Sequence, residues 1–182
     1  MNQIKSRLEQ FKSLPESEYQ KELIFCLLTP QSNAKKCWQA VEQIFKLKNQ
    51  AEEQISNILK TKTRFHNTKA KRVVKALNNW NTIKSKLSNN NVIELRNWLV
   101  DNVDGLGLKE SSHFLRNIGK SNNQLAILVR HILRNLSIQK IKSKKHYLET
   151  EQLFLKKAKQ LSIPPDELDL LWWSNETGEI FK

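Results

Sequence analysis

The chain is poor in several residue types at once: its 182 residues include only 2 Cys, 4 Gly, 4 Pro and 1 Met. Cys26 and Cys37 match neither the ligand spacing of a zinc site nor the four-cysteine set of an iron–sulfur cluster. A cofactor-free protein of a reducing compartment is the simplest account, with Cys26, inside the run LIFCLL, as a buried thiol. No apolar stretch approaches the roughly 20 residues that cross a bilayer. The start, MNQIKSRLEQFK, has no apolar h-region, so no signal peptide is expected. The expectation is an intracellular, cytoplasmic protein with no membrane partner. Period-2 alternation of useful length and internal repeats are also missing, which argues against strands and repeat architectures.

Acidic residues are short as well, 18 Asp and Glu against 31 Lys and Arg, for a net charge of +13 and a pI near 9.8. A compact basic chain without a membrane segment most often meets nucleic acid. The competing reading is a basic surface that serves solubility only.

Helical periodicity, by contrast, is nearly continuous. Apolar residues recur at three- and four-residue steps over 16–29, 33–47, 51–61, 66–87, 92–102, 108–118, 125–136, 145–161 and 165–173. Breaks fall at Pro15, Thr29-Pro30, the Asn run 89–91, Gly105 to Gly107, Gly119 and Pro164-Pro165. The fold is therefore predicted to be all-α. Ser32 or Asn33 is expected to cap the helix that follows, Asn67 or Thr68 the one beginning near 66, and SNNN at 88–91 to be a flexible joint. The length suits one sizeable domain or two small lobes sharing a cleft.

Two of the four glycines fall in VDGLGLKE, residues 103–110, between two amphipathic helices. So short a turn calls for positive φ angles, which glycine adopts cheaply. Glycine also leaves amide N–H groups bare, and the following helix adds the positive end of its dipole, so the turn can grip a phosphate. This is the logic of a helix-hairpin-helix element, with Gly105 and Gly107 as DNA-binding positions and 92–118 as its extent. An ordinary αα-hairpin would use the same glycines for geometry alone. Lys109 follows in the first helical turn, where the dipole disfavours a cation and a solvated role is the less natural one. Partly desolvated beside a DNA grip, its amine could lose a proton and attack a sugar carbon.

At these residues the chain resembles the archaeal-type 8-oxoguanine DNA glycosylase/AP lyases, the second Ogg class of the helix-hairpin-helix glycosylase superfamily. GLGLKESSHFLRNIG (105–119) with LAILVRHILRNL (125–136) carries the resemblance, and ELIFCLLTPQSNA (22–34), RFHNTKAKRV (64–73) and LWWSNETGEIFK (171–182) extend it in the family's order. The resemblance implies a two-lobed helical glycosylase fold without an iron–sulfur cluster, with residues 1–182 forming one unit around a base pocket. It implies a monomer acting on double-stranded DNA containing 8-oxoguanine, nucleoid-associated for that reason. The damaged base is flipped out, Lys109 attacks C1′ and forms a Schiff base, and β-elimination nicks the strand. Phe65 and Trp173 would flank the extruded base, and stacking of this kind does not read base identity. Trp172 is expected in the core instead. Discrimination would come from a main-chain or terminal oxygen of Lys182 accepting the N7 proton that 8-oxoguanine has and guanine lacks. Gln31 would enter the duplex near the vacated position. His113 and His131 are expected as packed or hydrogen-bonding histidines, and His66 as a groove residue. No cofactor is implied, although carbonyls of 103–108 could hold a monovalent cation.

One position departs from the family pattern. After the lysine helix the family places Asp before Arg-His-Ile-Leu-Arg as its second catalytic residue; here the position is Val129. General-base help is worth about 10² to 10⁴ in rate, and charge stabilisation can add a comparable amount; valine supplies neither. Asp104 and Glu110 flank Lys109 in sequence, but one lies in the turn and the other about 100° round the helix, so neither is expected to substitute. The reading is a glycosylase by descent with impaired chemistry. The alternatives are a catalytically inactive lesion-binding protein and a general helix-hairpin-helix DNA-binding scaffold.

Overall fold

The computed structural model describes residues 2–182. Among the described residues eleven α-helices follow one another: α1 (Asn2–Lys12), α2 (Tyr19–Leu28), α3 (Ala34–Ile44), α4 (Glu52–Leu59), α5 (His66–Asn78), α6 (Trp80–Lys86), α7 (Val92–Asn102), α8 (Leu108–Asn117), α9 (Arg130–Asn135), α10 (Lys144–Leu161) and α11 (Pro165–Thr177). A 3₁₀ turn, Glu16–Glu18, leads into α2, and no strand occurs among the described residues. The chain is all-α, as its periodicity predicts.

Several starts have clear local causes. The Asn33 side chain accepts from the Lys36 N–H at the head of α3, Asn91 from Glu94 at α7, and Ser143 from His146 at α10. Pro165 opens α11, where its missing N–H costs nothing, and Asp166 and Glu167 meet the positive helix end.

Other boundaries differ from the periodic reading. Helix α1 was not among the expected elements, although Ile4 and Phe11 on it are buried. The 66–87 segment divides at Asn79, whose φ of −97° and ψ of 10° interrupt the helix. Neither Asn67 nor Thr68 caps α5: that position belongs to Phe65, and the Asn67 side chain instead accepts from the Ser56 hydroxyl at 2.6 Å. The 125–136 segment is helical only from Arg130. Before it, the Ala126 N–H donates to Glu151 Oε1 (2.9 Å) and its carbonyl accepts from the Tyr147 hydroxyl (2.6 Å). Side chains of α10 thus satisfy the backbone groups that a helical turn would have paired. The 88–91 run is not a joint between clusters: Asn89 accepts from the Asn91 N–H at 2.8 Å, and Leu87 and Val92 on either side share one core.

Buried apolar side chains form three clusters. The largest surrounds α2, where every residue from Leu23 to Leu28 is buried, as befits a helix that is apolar on all sides. The second joins α9, α10 and α11 through Ile132, Phe154 and Leu168. The third seats Ile4 and Phe11 of α1 on Leu170 of α11. Helix α8 gives Phe114 and Leu115 to the first cluster and Leu108 to the second. Its N-terminal turn, which carries Lys109, therefore stands where the two meet.

Candidate active site

A cleft of about 1080 Å³ opens between these clusters, just above the roughly 300–1,000 Å³ usual for ligand pockets. Lys109, Val129, Trp173, Lys182 and Gln31 all line it, although they come from five separate parts of the chain. His113 and His131 line it too. A second groove, about 650 Å³ beside Ile163 and Pro164, contains no titratable side chain except Lys159.

The hairpin sets Lys109 in place. Gly105 has φ +96°, and a Cβ there would lie 2.6 Å from Cδ of Arg72, so both conformation and close approach require glycine. Gly107 differs from the expectation: with φ −96° and ψ −173° it is extended, and needs no left-handed freedom. Its N–H is not bare either, since it donates to Glu110 Oε2 at 3.2 Å. The Glu110 side chain thus folds back along the first turn of α8, and its other oxygen lies 2.8 Å from Lys109 Nζ. Lys109 is 29% exposed and Glu110 13%. The expectation that Glu110 points away from Lys109 does not hold. Asp104 does turn elsewhere, toward Arg72 (3.4 Å) and Lys75 (3.5 Å).

Val129 caps α9, presents its side chain to the cleft and packs against the second core. Trp173 stands edge-on to His131, with ring centroids 5.3 Å apart, while Trp172 packs in the core against Phe154 at 5.7 Å. His131 Nδ1 is 3.3 Å from Glu176. His113 is half-buried beside Phe25, 5.6 Å between rings. Burial first, then the charges of Arg116 and Lys109, hold its pKa well below the usual 6.5, so the imidazole is neutral.

Lys182 is far from a frayed tail. Its amine is ion-paired with buried Glu22 and sits 3.5 Å from the centre of the Trp38 ring. The second Glu22 oxygen accepts from Asn117 at 2.9 Å. Burial lowers the Lys182 pKa, and Glu22 opposes the shift.

Gln31 is exposed in the loop after α2, at φ +54°. That loop is held from beneath by buried Lys69, whose amine donates to Leu28 O (2.7 Å), Pro30 O (2.8 Å) and Ser32 Oγ (2.9 Å). Phe65, at φ +57° and 56% exposed, is not part of the cleft wall. It stands beside Arg64, which is, with the guanidinium 5.4 Å from its ring. A bulky aromatic held left-handed and in solvent is a strained arrangement of the kind that gathers at functional sites.

Sequence reasoning missed four buried polar groups that shape the cleft. Besides Glu22 and Lys69 these are Arg116 and Asp169, paired at 3.1 Å. Burial pushes Asp169 up to about 6 against the pull of Arg116. The signal available was a charged residue within an otherwise apolar run, as in ELIF around Glu22 and ELDLL around Asp169. Among the described residues, no group of three or more His, Cys, Asp or Glu is arranged to hold a metal, and no helix is long and apolar enough to cross a membrane.

The fold is that of the helix-hairpin-helix DNA glycosylases. The sequence profile of the 8-oxoguanine DNA glycosylase family matches residues 4–163, and the chain belongs to that family. It is 40% identical to the 8-oxoguanine DNA glycosylase/AP lyase of Fusobacterium nucleatum, over 98% of this chain and 91% of that protein. The Sulfurisphaera tokodaii 8-oxoguanine DNA glycosylase/AP lyase is 36% identical, over 98% and 93%. The crystal structure of Methanocaldococcus jannaschii 8-oxoguanine glycosylase/lyase with a 15mer DNA containing 8-oxoguanine superposes with a TM-score of 0.88 at 32% identity, covering 100% of this chain and 92% of that one.

Proposed function

We propose that this protein is a bifunctional 8-oxoguanine DNA glycosylase/AP lyase of base-excision repair, with Lys109 as nucleophile and with base release slowed by Val129. The observation that carries the reading is that the half-buried Lys109 amine, at the head of the hairpin's second helix, opens into the same cleft as Trp173, Val129 and Lys182. The partner is double-stranded DNA bearing 8-oxoguanine, bound by a monomer inside the cell. The hairpin turn at Gly105 and the basic surface hold phosphates, and Gln31 enters the duplex where the base has left. No cofactor takes part, and the hairpin carbonyls of 103–108 are where a monovalent cation would bind.

The flipped base lies against Trp173, with Phe65 closing over its other face. The main chain of Lys182, anchored through its own side chain, supplies the acceptor for N7–H. With guanine, two acceptors would face each other, at a cost of about 1–3 kcal/mol for the unmade bond. Neutral His113 adds no further positive charge beside Lys109. Where the family has Asp, Val129 offers nothing to offset positive charge on the sugar as the C1′–N9 bond breaks. Schiff-base formation on an existing abasic aldehyde makes no such demand, so the lyase step is spared.

The test measures binding and strand cleavage separately on duplexes that differ only in 8-oxoguanine or guanine at one position. Preferential binding and cleavage of the 8-oxoguanine duplex supports the reading. Equal handling of both duplexes contradicts it.

A further inference from the structure

We infer that Glu110 is the proton acceptor for Lys109, taking over that half of the work of the absent aspartate; this rests on the reading of Lys109 as nucleophile. The acids around the cleft divide cleanly by partner. Asp169 is committed to Arg116, Glu22 to Lys182, Glu179 to Lys35, Glu176 to Arg134, and Asp104 to Arg72 and Lys75. Glu110 alone is paired with Lys109, Oε1 to Nζ at 2.8 Å, within the roughly 2.6–3.2 Å that direct proton transfer needs. Its position is fixed from the other side, because Oε2 accepts the Gly107 N–H at 3.2 Å. One carboxylate therefore spans the hairpin turn and the nucleophile.

The step balances as follows. The Lys109 ammonium passes a proton to the Glu110 carboxylate. The freed lone pair forms the Nζ–C1′ bond as C1′–N9 breaks, and that electron pair leaves on N9. The proton held by Glu110 then passes, through water, to the departing base, leaving a secondary ammonium on the sugar and the carboxylate restored. Glu110 backs Lys109 without itself lining the cleft, so it does not stabilise charge at the sugar. The two tasks of the missing aspartate are thereby separated: one is covered and the other is not.

The experiment uses the full chain in single turnover, measuring borohydride trapping on a duplex with a preformed abasic site from neutral pH to about pH 10. Glu110→Gln keeps an oxygen for the Gly107 N–H and removes the base. Trapping should fall about 10²-fold or more at neutral pH. The deficit should shrink as pH rises, because hydroxide in solution then removes the amine proton in place of the carboxylate. Adding Val129→Asp to Glu110→Gln should restore trapping, which also shows that the variant is folded. Wild-type trapping by Glu110→Gln, or a deficit that is the same at every pH and is not rescued, overturns the inference while leaving Lys109 as nucleophile. Absence of trapping by the unaltered chain overturns both.

Discussion

The amine of Lys182 is ion-paired with Glu22, a residue of α2 buried in the largest core cluster. One end of the chain is thus pinned through its side chain, which fixes the main chain of Lys182 at the cleft. Lys182→Met should leave Glu22 charged with no cation beside it, only the Asn117 amide, at a cost of roughly 3–5 kcal/mol. It should also abolish preference for 8-oxoguanine over guanine while leaving affinity for undamaged duplex nearly unchanged. Thermal unfolding and competition binding read the two effects, and retained lesion preference would place the N7 acceptor elsewhere.

Val129→Asp should accelerate base release from an 8-oxoguanine duplex about 10²-fold or more, as one electrostatic contribution is restored. Trapping on a preformed abasic site should change far less, because Glu110 already serves Lys109. Base release by gel assay and trapping by borohydride separate the two. Equal acceleration of both would show that Val129 limits proton transfer rather than charge stabilisation.

Phe65 is held at φ +57° in solvent, at a cost of about 1–3 kcal/mol. Asparagine accepts that conformation more readily. Phe65→Asn should therefore raise the melting temperature while weakening lesion binding by about 1–3 kcal/mol, the value of one stacked base. A variant that is no more stable, or that binds the lesion as before, contradicts the assignment.

His113 supplies a pH dependence with a definite sign. Its folded pKa lies well below 6.5, chiefly through burial. Below about 6.5 the unfolded chain gains a proton that the folded one does not, so stability falls as pH drops through that range. In His113→Phe that loss is absent, and the gap in melting temperature between variant and unaltered chain should move in the variant's favour between pH 7 and 5. A gap independent of pH would show that His113 gains its proton in the folded protein as readily as in the unfolded chain.

The fold was legible where pattern and local chemistry agree. The hairpin helices run 92–102 and 108–117, almost as the periodicity requires. The 125–136 segment failed because Glu151 and Tyr147, on α10, capture the backbone of Ala126. No local rule contains partners so far along the chain. The same holds at the site. Quoted motifs located Lys109, Trp173, Val129, Gln31 and Lys182, and the structure brings all of them to one cleft. The supporting pairs Arg116–Asp169 and Glu22–Lys182 lie 53 and 160 positions apart, and only folding joins them. Glu110 is the opposite case: adjacent to Lys109 in sequence, it points away on ideal helix geometry, whereas its long side chain folds back to the hairpin.

The most direct measurement of the central claim is borohydride trapping on an 8-oxoguanine duplex, compared with the same duplex carrying a preformed abasic site. A covalent complex through Lys109 should form on both, more slowly on the 8-oxoguanine duplex because base release is the impaired step, and Lys109→Gln should form neither. Release of 8-oxoguanine without any covalent complex, or trapping that survives Lys109→Gln, would contradict the account.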